Sequence, residues 1–222
     1  MTAPLNIEPL FIDIETVKTK RPDYRDRVAK TIKPPAQMSK PETIAKWEAE
    51  QKEGAIDEAI EKSVFNGGLC HIAQIQYAHG DGDIVVLQGQ EEEILPSFFQ
   101  FLADNDLNVK SFVGHNISGF DIRVLKQRAC VLGMRVPNVL ARAIRSKPWD
   151  GLIFDTMLEW SGSYKDWVSM DNLCYYLGID TPKGVVDGAS FGKHYEAGEM
   201  EMLKQYGIDE IVALKSVYKL LK

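Results

Sequence analysis

The sequence predicts an α/β fold in which helices flank a mixed β-sheet, and three observations carry that prediction. The first is a short, almost wholly apolar run at residues 10–14, the pattern of a strand buried on both faces. The second is a pair of strand-like runs, 70–77 and 83–88, joined by the turn-rich His79-Gly80-Asp81-Gly82 of a hairpin. The third is the alternation of helical and extended segments over the remainder of the chain.

Taken in order, the first strand is followed by a polar, basic insertion at about residues 17–62. Pro34-Pro35 and Pro41 break it, and Pro41-Glu42-Thr43 opens a helical stretch through Lys46, Trp47 and Glu50. After the hairpin, Glu91, Glu92 and Glu93 open a helix carrying Ile94, Leu95, Phe98, Phe99 and Leu102 at helical spacing. Residues 110–114 form a short strand. Residues 119–132 form an amphipathic helix with Ile122, Val124, Leu125, Ala129 and Leu132 on one side. Another short strand is expected at 152–155, then a helix over 170–177 ended by Gly178. Residues 181–192, with Lys183-Gly184 and Asp187-Gly188, are expected as a loop, and 199–221 as the last long helix.

At 222 residues the chain suits a single domain, 1–222, that carries the insertion and can bury a proper core. Hydrophobic residues at 45% and charged residues at 26% are ordinary for a globular chain. No apolar run approaches the roughly 18 residues of a membrane span, and no signal peptide opens the chain. Cys70, Cys130 and Cys174 are far apart and set among apolar residues, so they read as reduced core cysteines of a cytoplasmic protein. The net charge of −6 argues against a polyanionic partner, but the distribution does not. Seven basic residues face two acids between Lys18 and Lys33, and seven basic residues stand without an acid between Arg123 and Lys147. Such stretches suit phosphate contacts, and equally suit solvated helix faces.

The chemistry begins in the first strand. Asp13 and Glu15 are two residues apart, so both point to one face of a strand that is otherwise apolar. Paired carboxylates there repel each other unless a cation lies between them, and Mg²⁺ or Mn²⁺ takes such hard oxygen ligands. An edge strand with a solvated acidic face is the alternative. A second stretch, Val113-Gly114-His115-Asn116-Ile117-Ser118-Gly119-Phe120-Asp121, runs from strand end through a glycine-bearing loop to an acid at a helix start. Asp121 there can serve a cleft or simply cap the helix. A third stretch in the last helix places Tyr206 one turn before the adjacent acids Asp209 and Glu210.

Together the three stretches resemble the DEDD superfamily of 3′-5′ exonucleases, whose first motif is Asp-x-Glu, second Asn-x-x-x-Phe-Asp and third, in the tyrosine branch, Tyr-x-x-x-Asp. The resemblance is closest to the proofreading exonuclease domains of family B DNA polymerases and their stand-alone phage and bacterial relatives. It spans nearly the whole chain and implies a ribonuclease-H-like fold. One position departs from the pattern: counting from Tyr206 reaches Glu210, with Asp209 one residue early. At 100° per residue, Glu210 lies about 50° and Tyr206 about 90° from the centre of the stripe Ile211, Leu214, Tyr218, Leu221, whereas Asp209 lies about 150° away. Glu210 is therefore taken as the fourth acid, with Asp209 as runner-up should the helix start or bend near Gly207.

The resemblance implies two divalent cations held by Asp13, Glu15, Asp121 and Glu210, and hydrolysis of phosphodiesters from a single-stranded 3′ end. It assigns Tyr206 to the attacking water, with positioning favoured over base catalysis because a tyrosine ionises near pH 10. Thr16, Asn116 and Phe120 are expected beside the terminal nucleotide, although Phe120 also suits the core. His115 and Asp155 are read as structural. DNA is favoured over RNA, and a polymerase or other replication protein is expected to act in trans. An RNA-trimming enzyme and a catalytically silent relative that binds nucleic acid or a protein are the competing readings.

Overall fold

The computed structural model describes residues 7–163, 165–180 and 186–222. Strand β1 (Glu8–Val17) is followed by helices α1 (Tyr24–Thr31), α2 (Pro41–Glu50) and α3 (Lys52–Glu61), then by the antiparallel strands β2 (His71–His79) and β3 (Val85–Gln88). Next come α4 (Glu91–Asp104), β4 (Val109–Gly114), α5 (Asp121–Val131), α6 (Asn138–Arg145) and β5 (Ile153–Asp155). Helices α7 (Thr156–Ser161), α8 (Met170–Leu177), α9 (Phe191–Glu196) and α10 (Met200–Leu221) complete the described chain.

Among the described residues, five strands form one sheet in the order β3-β2-β1-β4-β5. β1 pairs antiparallel with β2 and parallel with β4, and β5 extends the parallel side, so the sheet is mixed. Burial on both faces explains why β1 reads as nearly continuous apolar sequence. Its even residues Leu10, Ile12 and Ile14 enter the main core with Leu95, Phe98 and Phe99 of α4 and Val124 and Leu125 of α5. On the opposite face Phe11 packs with Ile211, Leu214 and Tyr218 of α10. Asp13 and Glu15 follow Phe11 at period two, so they continue the α10 face.

Local signals account for several element ends. Ser169 caps α8 by accepting from the Asn172 N–H at 3.2 Å, and Gly178 ends it in the left-handed conformation, at φ 66°. Asp155 caps α7 by accepting from the Met157 N–H. Arg128 of α5 is buried and donates to both carboxylate oxygens of Glu91 at 2.8 and 2.6 Å, tying α5 to α4.

The structure revises some sequence expectations. The insertion holds three helices where one was expected, because α1, α2 and α3 each bury a single anchor, Val28, Trp47 and Ile56. One anchor per helix leaves no periodic stripe to read. Helix α7 is too short for its periodicity to stand out, whereas α6, as long as α8 and burying Val139, Leu140 and Ala143 on one side, was readable and was passed over. Residues 191 and 192 belong to α9, while Lys183 and Gly184 lie outside the described residues. Cys70 and Cys174 are buried, but Cys130 is exposed, on the outer side of α5. No helix of the described residues is long and apolar enough to cross a membrane.

Candidate active site

β4 ends at Gly114, alongside the middle of β1, so the second half of β1 has no strand neighbour on that side. The gap is filled by the start of α5: Asp121 Oδ1 accepts from the main-chain N–H of Ile14 at 3.0 Å. This contact brings the buried Asp121 beside Asp13 and Glu15. Helix α10 delivers the fourth acid from the other side. It runs unbroken through Gly207, which faces β2 so closely that a Cβ there would lie 2.4 Å from Gln74 Nε2 and 3.2 Å from Gln76 Oε1.

Glycine thus sets the distance between α10 and the sheet. Gly207→Ala is expected to destabilise the protein by about 1–3 kcal/mol, in thermal or urea unfolding. In an exposed helix the same change would stabilise by up to about 1 kcal/mol, so the sign of the shift tests the packing.

Tyr206 and Glu210 lie on the flank of α10 that meets β1. The Tyr206 hydroxyl lies beside the carboxylates of Glu15 and Glu210, and its ring packs near Phe191 at 6.4 Å between centroids. Asp209 points elsewhere, accepting from Gln205 Nε2 at 2.8 Å along the exposed side of the helix. The unbroken helix and this pairing put Glu210, and not Asp209, among the acids.

Burial holds protons on these acids, and on the two of β1 the neighbouring carboxylates add to it. Burial raises Asp13 well above the usual carboxylate range, reinforced by Asp121, Glu15 and Glu210. Glu15 is pushed up to about 8 by burial, then by Glu210 and Asp121, against the opposing hydrogen bond from Tyr206. Asp121 rises to about 7, chiefly through burial, and Glu210 is raised for the same reason. Burial and the neighbouring carboxylates raise Tyr206 far above its ordinary value, so its hydroxyl stays a donor. Mutual repulsion of this kind is what a divalent cation relieves, and four carboxylates are a donor set that suits Mg²⁺ or Mn²⁺.

A different group, His71, Glu91 and Glu92, brings its ligand atoms within 4.8 Å of one another. It does not suit a cation. Both Glu91 oxygens are engaged by Arg128, and Oε1 also accepts from the Ile72 N–H at 2.9 Å. A guanidinium already supplies the positive charge there.

Two cavities flank the acids. One, of about 710 Å³, is lined by Glu15, Thr16, Phe120 and Lys193, and on its far wall by Lys62 and Phe65, just after α3. The other, of about 270 Å³, is lined by Tyr206, Glu210, Asp171 and Asp187. Gly188 and Ala189 belong to both. The far wall is pinned to the end of β1: Thr16 Oγ1 donates to Val64 O at 2.8 Å, and the Thr19 N–H donates to Ser63 Oγ at 2.8 Å. Phe120 does two things, packing against the core and lining the larger cavity. Asn116 lines neither cavity. It holds a positive φ of 55°, and its Oδ1 sits so close to Gly119 that a Cβ there would be 2.4 Å away.

Asp155 and His115 brace this loop. Asp155 accepts from the N–H groups of Asn116 and Ser118 at 2.9 and 3.0 Å. His115 Nε2 donates to Val168 O at 2.8 Å, and burial lowers its pKa, so it stays neutral. The basic stretches are partly spent inside the fold. Lys18 pairs with Glu61 and Glu196, Arg25 with Glu53 and Asp57, Arg128 with Glu91, and Arg142 with Asp106. Arg123, Lys126 and Lys147 instead line a third cavity, of about 390 Å³, beside Asp155.

Sequence reasoning passed over Gln74 and Gln76. Both are fully buried on β2, and Gln76 Nε2 donates to Asp13 Oδ2. Their signal was present: two amides at period two inside an apolar strand, the same pattern as Asp13 and Glu15.

Known proteins resemble this chain in family and in fold. Residues 71–219, about two thirds of the chain, match a family described as "Predicted 3′-5′ exonuclease related to the exonuclease domain of PolB". The structure of the family B DNA polymerase from the hyperthermophilic archaeon Pyrobaculum calidifontis superposes with a TM-score of 0.58 at 14% identity. The match covers 97% of this chain and 24% of the polymerase, and it shows a shared ribonuclease-H-like fold. A search of curated protein sequences gave no match.

Proposed function

The chain belongs to the family of predicted 3′-5′ exonucleases related to the exonuclease domain of PolB, and on that footing we propose that it hydrolyses single-stranded DNA from the 3′ end with two divalent cations. The observation that carries the proposal is the convergence of Asp13 and Glu15 from β1, Asp121 from α5 and Glu210 from α10, with Asp121 and Glu210 raising the proton affinity of both β1 acids. These four would hold the cations. Magnesium or manganese, when bound, supplies positive charge against the reacting phosphate and acidifies an attacking water.

The protein's own groups do the rest. Tyr206, protonated across the working pH range, donates its hydrogen bond and orients the water; it does not take a proton. Asp121 holds β1 in place through the Ile14 N–H and would also serve as a cation ligand. The larger cavity receives the unpaired strand end. Phe120 on one wall and Phe65 on the other, the latter 67% exposed, offer faces for nucleobases. The insertion thus guides the strand in this reading, within one domain spanning residues 1–222, and a polymerase acting in trans would supply the DNA.

Stacking on an aromatic is worth about 1–3 kcal/mol per base, so Phe65→Ala is expected to raise KM for single-stranded DNA about tenfold with little change in kcat. Equal losses in kcat and kcat/KM would remove Phe65 from substrate binding.

The function itself is tested with 5′-labelled single-stranded DNA and the matching RNA, each with Mg²⁺, Mn²⁺ or EDTA. The expected result is a metal-dependent ladder shortening from the 3′ end, stronger on DNA. A stronger ladder on RNA would reassign the substrate. No cleavage of either polymer with any metal would leave a nucleic-acid-binding or partner-binding relative.

A further inference from the structure

We infer that Gln76, aligned by Gln74 and Gln88, is a positioning residue for Asp13, the end of an amide relay that runs from α10 across the sheet. The inference rests on reading Asp13 as a cation ligand. Gln88 Nε2 donates to Met200 O at 3.0 Å and to Gln74 Oε1 at 2.8 Å. Gln74 Nε2 donates to Leu203 O at 3.1 Å and to Gln76 Oε1 at 3.0 Å. Gln76 Nε2 then donates to Asp13 Oδ2.

The direction of this relay is imposed. Met200 O and Leu203 O are main-chain carbonyls and can only accept, so Gln88 and Gln74 must turn their NH₂ groups towards α10. Both protons of the Gln88 and Gln74 amides are then used, and the amide oxygens of Gln74 and Gln76 each take a proton from the preceding residue. Reversing any one amide would set donor against donor or acceptor against acceptor. The relay therefore ends with an N–H aimed at Asp13, and an ionised carboxylate only accepts.

Register supplies the reach. Asp13 is the direct cross-strand partner of Gln76, Glu15 that of Gln74, and Gln74 that of Gln88. Side chains at such positions have their Cβ atoms about 4.5–5.5 Å apart. Gln74 and Gln76 are fully buried, where an amide is costly unless bonded and an apolar side chain would pack freely. Amides at these positions have a use if something on the facing strand needs a donor.

The relay also joins the two halves of the site. The carbonyls that set its direction belong to the first turns of α10, and the same helix carries Tyr206 and Glu210. The position of α10 along β2 and the orientation of the Asp13 carboxylate are thus held by one set of hydrogen bonds. Partners that orient a ligand in this way are worth about 10–100-fold in metal affinity.

The experiment is direct Mn²⁺ binding by titration calorimetry, without nucleic acid, on the wild type, Gln76→Leu, Gln88→Leu and Asp13→Ala. Gln76→Leu keeps similar volume and removes the terminal donor. Gln88→Leu acts two links away on a half-buried residue, so it serves where Gln76→Leu fails to fold. The expected result is Mn²⁺ affinity weakened about 10–100-fold in Gln76→Leu and severalfold in Gln88→Leu, with KM for DNA unchanged at saturating Mn²⁺. Wild-type affinity in a folded Gln76→Leu, or in Gln88→Leu if that alone folds, overturns the relay while loss of binding in Asp13→Ala upholds the cation site. Wild-type affinity in Asp13→Ala overturns the cation site and the relay together.

Discussion

Asp13→Ala is expected to abolish cleavage, and Glu210→Gln to reduce it by on the order of 10²–10³-fold, with both proteins folded. Asp13 is set among Asp121, Glu15 and Glu210 and receives the relay's terminal donor, so its removal takes away a carboxylate that faces all three of the other acids. Glu210→Gln keeps the shape of the side chain and the contact with Tyr206 while removing the charge. Asp209→Asn is the matched control. Its carboxylate lies on Gln205, on the other side of α10, and the change is expected to alter turnover by less than about twofold. The measurement is single-turnover cleavage of a labelled strand at saturating Mn²⁺. Full activity in Glu210→Gln together with a collapse in Asp209→Asn would exchange their roles and require α10 to rotate in the working enzyme.

In EDTA, the protein is expected to lose thermal stability steadily as pH rises from about 4.5 to above 8. The sign follows from the acids. Unfolded, Asp and Glu release protons near 3.8 and 4.5, whereas the folded protein keeps one on Asp121 to about 7 and on Glu15 to about 8. Between those limits the folded state binds more protons than the unfolded state, so stability is whole at low pH and falls as the folded groups ionise. For a chain of this length each kcal/mol is worth about 2–4 °C in Tm. The drop is therefore on the order of 10 °C or more, read by differential scanning calorimetry at pH 5 and pH 8.5. Adding Mn²⁺ at pH 8.5 restores the Tm, since the cation binds the ionised carboxylates, and has little effect at pH 5. Glu15→Gln flattens the pH dependence. A Tm in EDTA that does not change across this range would remove the mutual repulsion on which the site's preference for cations depends.

The parity of β1 placed Asp13 and Glu15 on one face, and the structure has both there, opposite α10. The helical wheel separated Glu210 from Asp209, and α10 holds them on different sides. Met170–Leu177 was expected as a helix ended by Gly178, and the structure adds Ser169 as its N-cap. The insertion was harder, since its three helices hang on one buried residue each. The basic stretches stayed ambiguous for another reason. Charge counts along a chain do not say which lysines and arginines already have partners, and Arg128 is buried against Glu91.

The direction in which a side chain leaves its element is a local property, set by the period of strand or helix, and so the pattern of residues was enough to bring out the fold class and the facing of each acid. What meets that side chain is not local. Asp13 and Gln76 are 63 residues apart, Ile14 and Asp121 are 107 apart, and Gln74 reaches Leu203 across 129. Those contacts depend on strand register, on β4 stopping short of β1 and on the close approach allowed by Gly207, all of which arise when the sheet and α10 pack. Packing, and not pattern, therefore decided which donors hold the acids and which walls enclose the cleft.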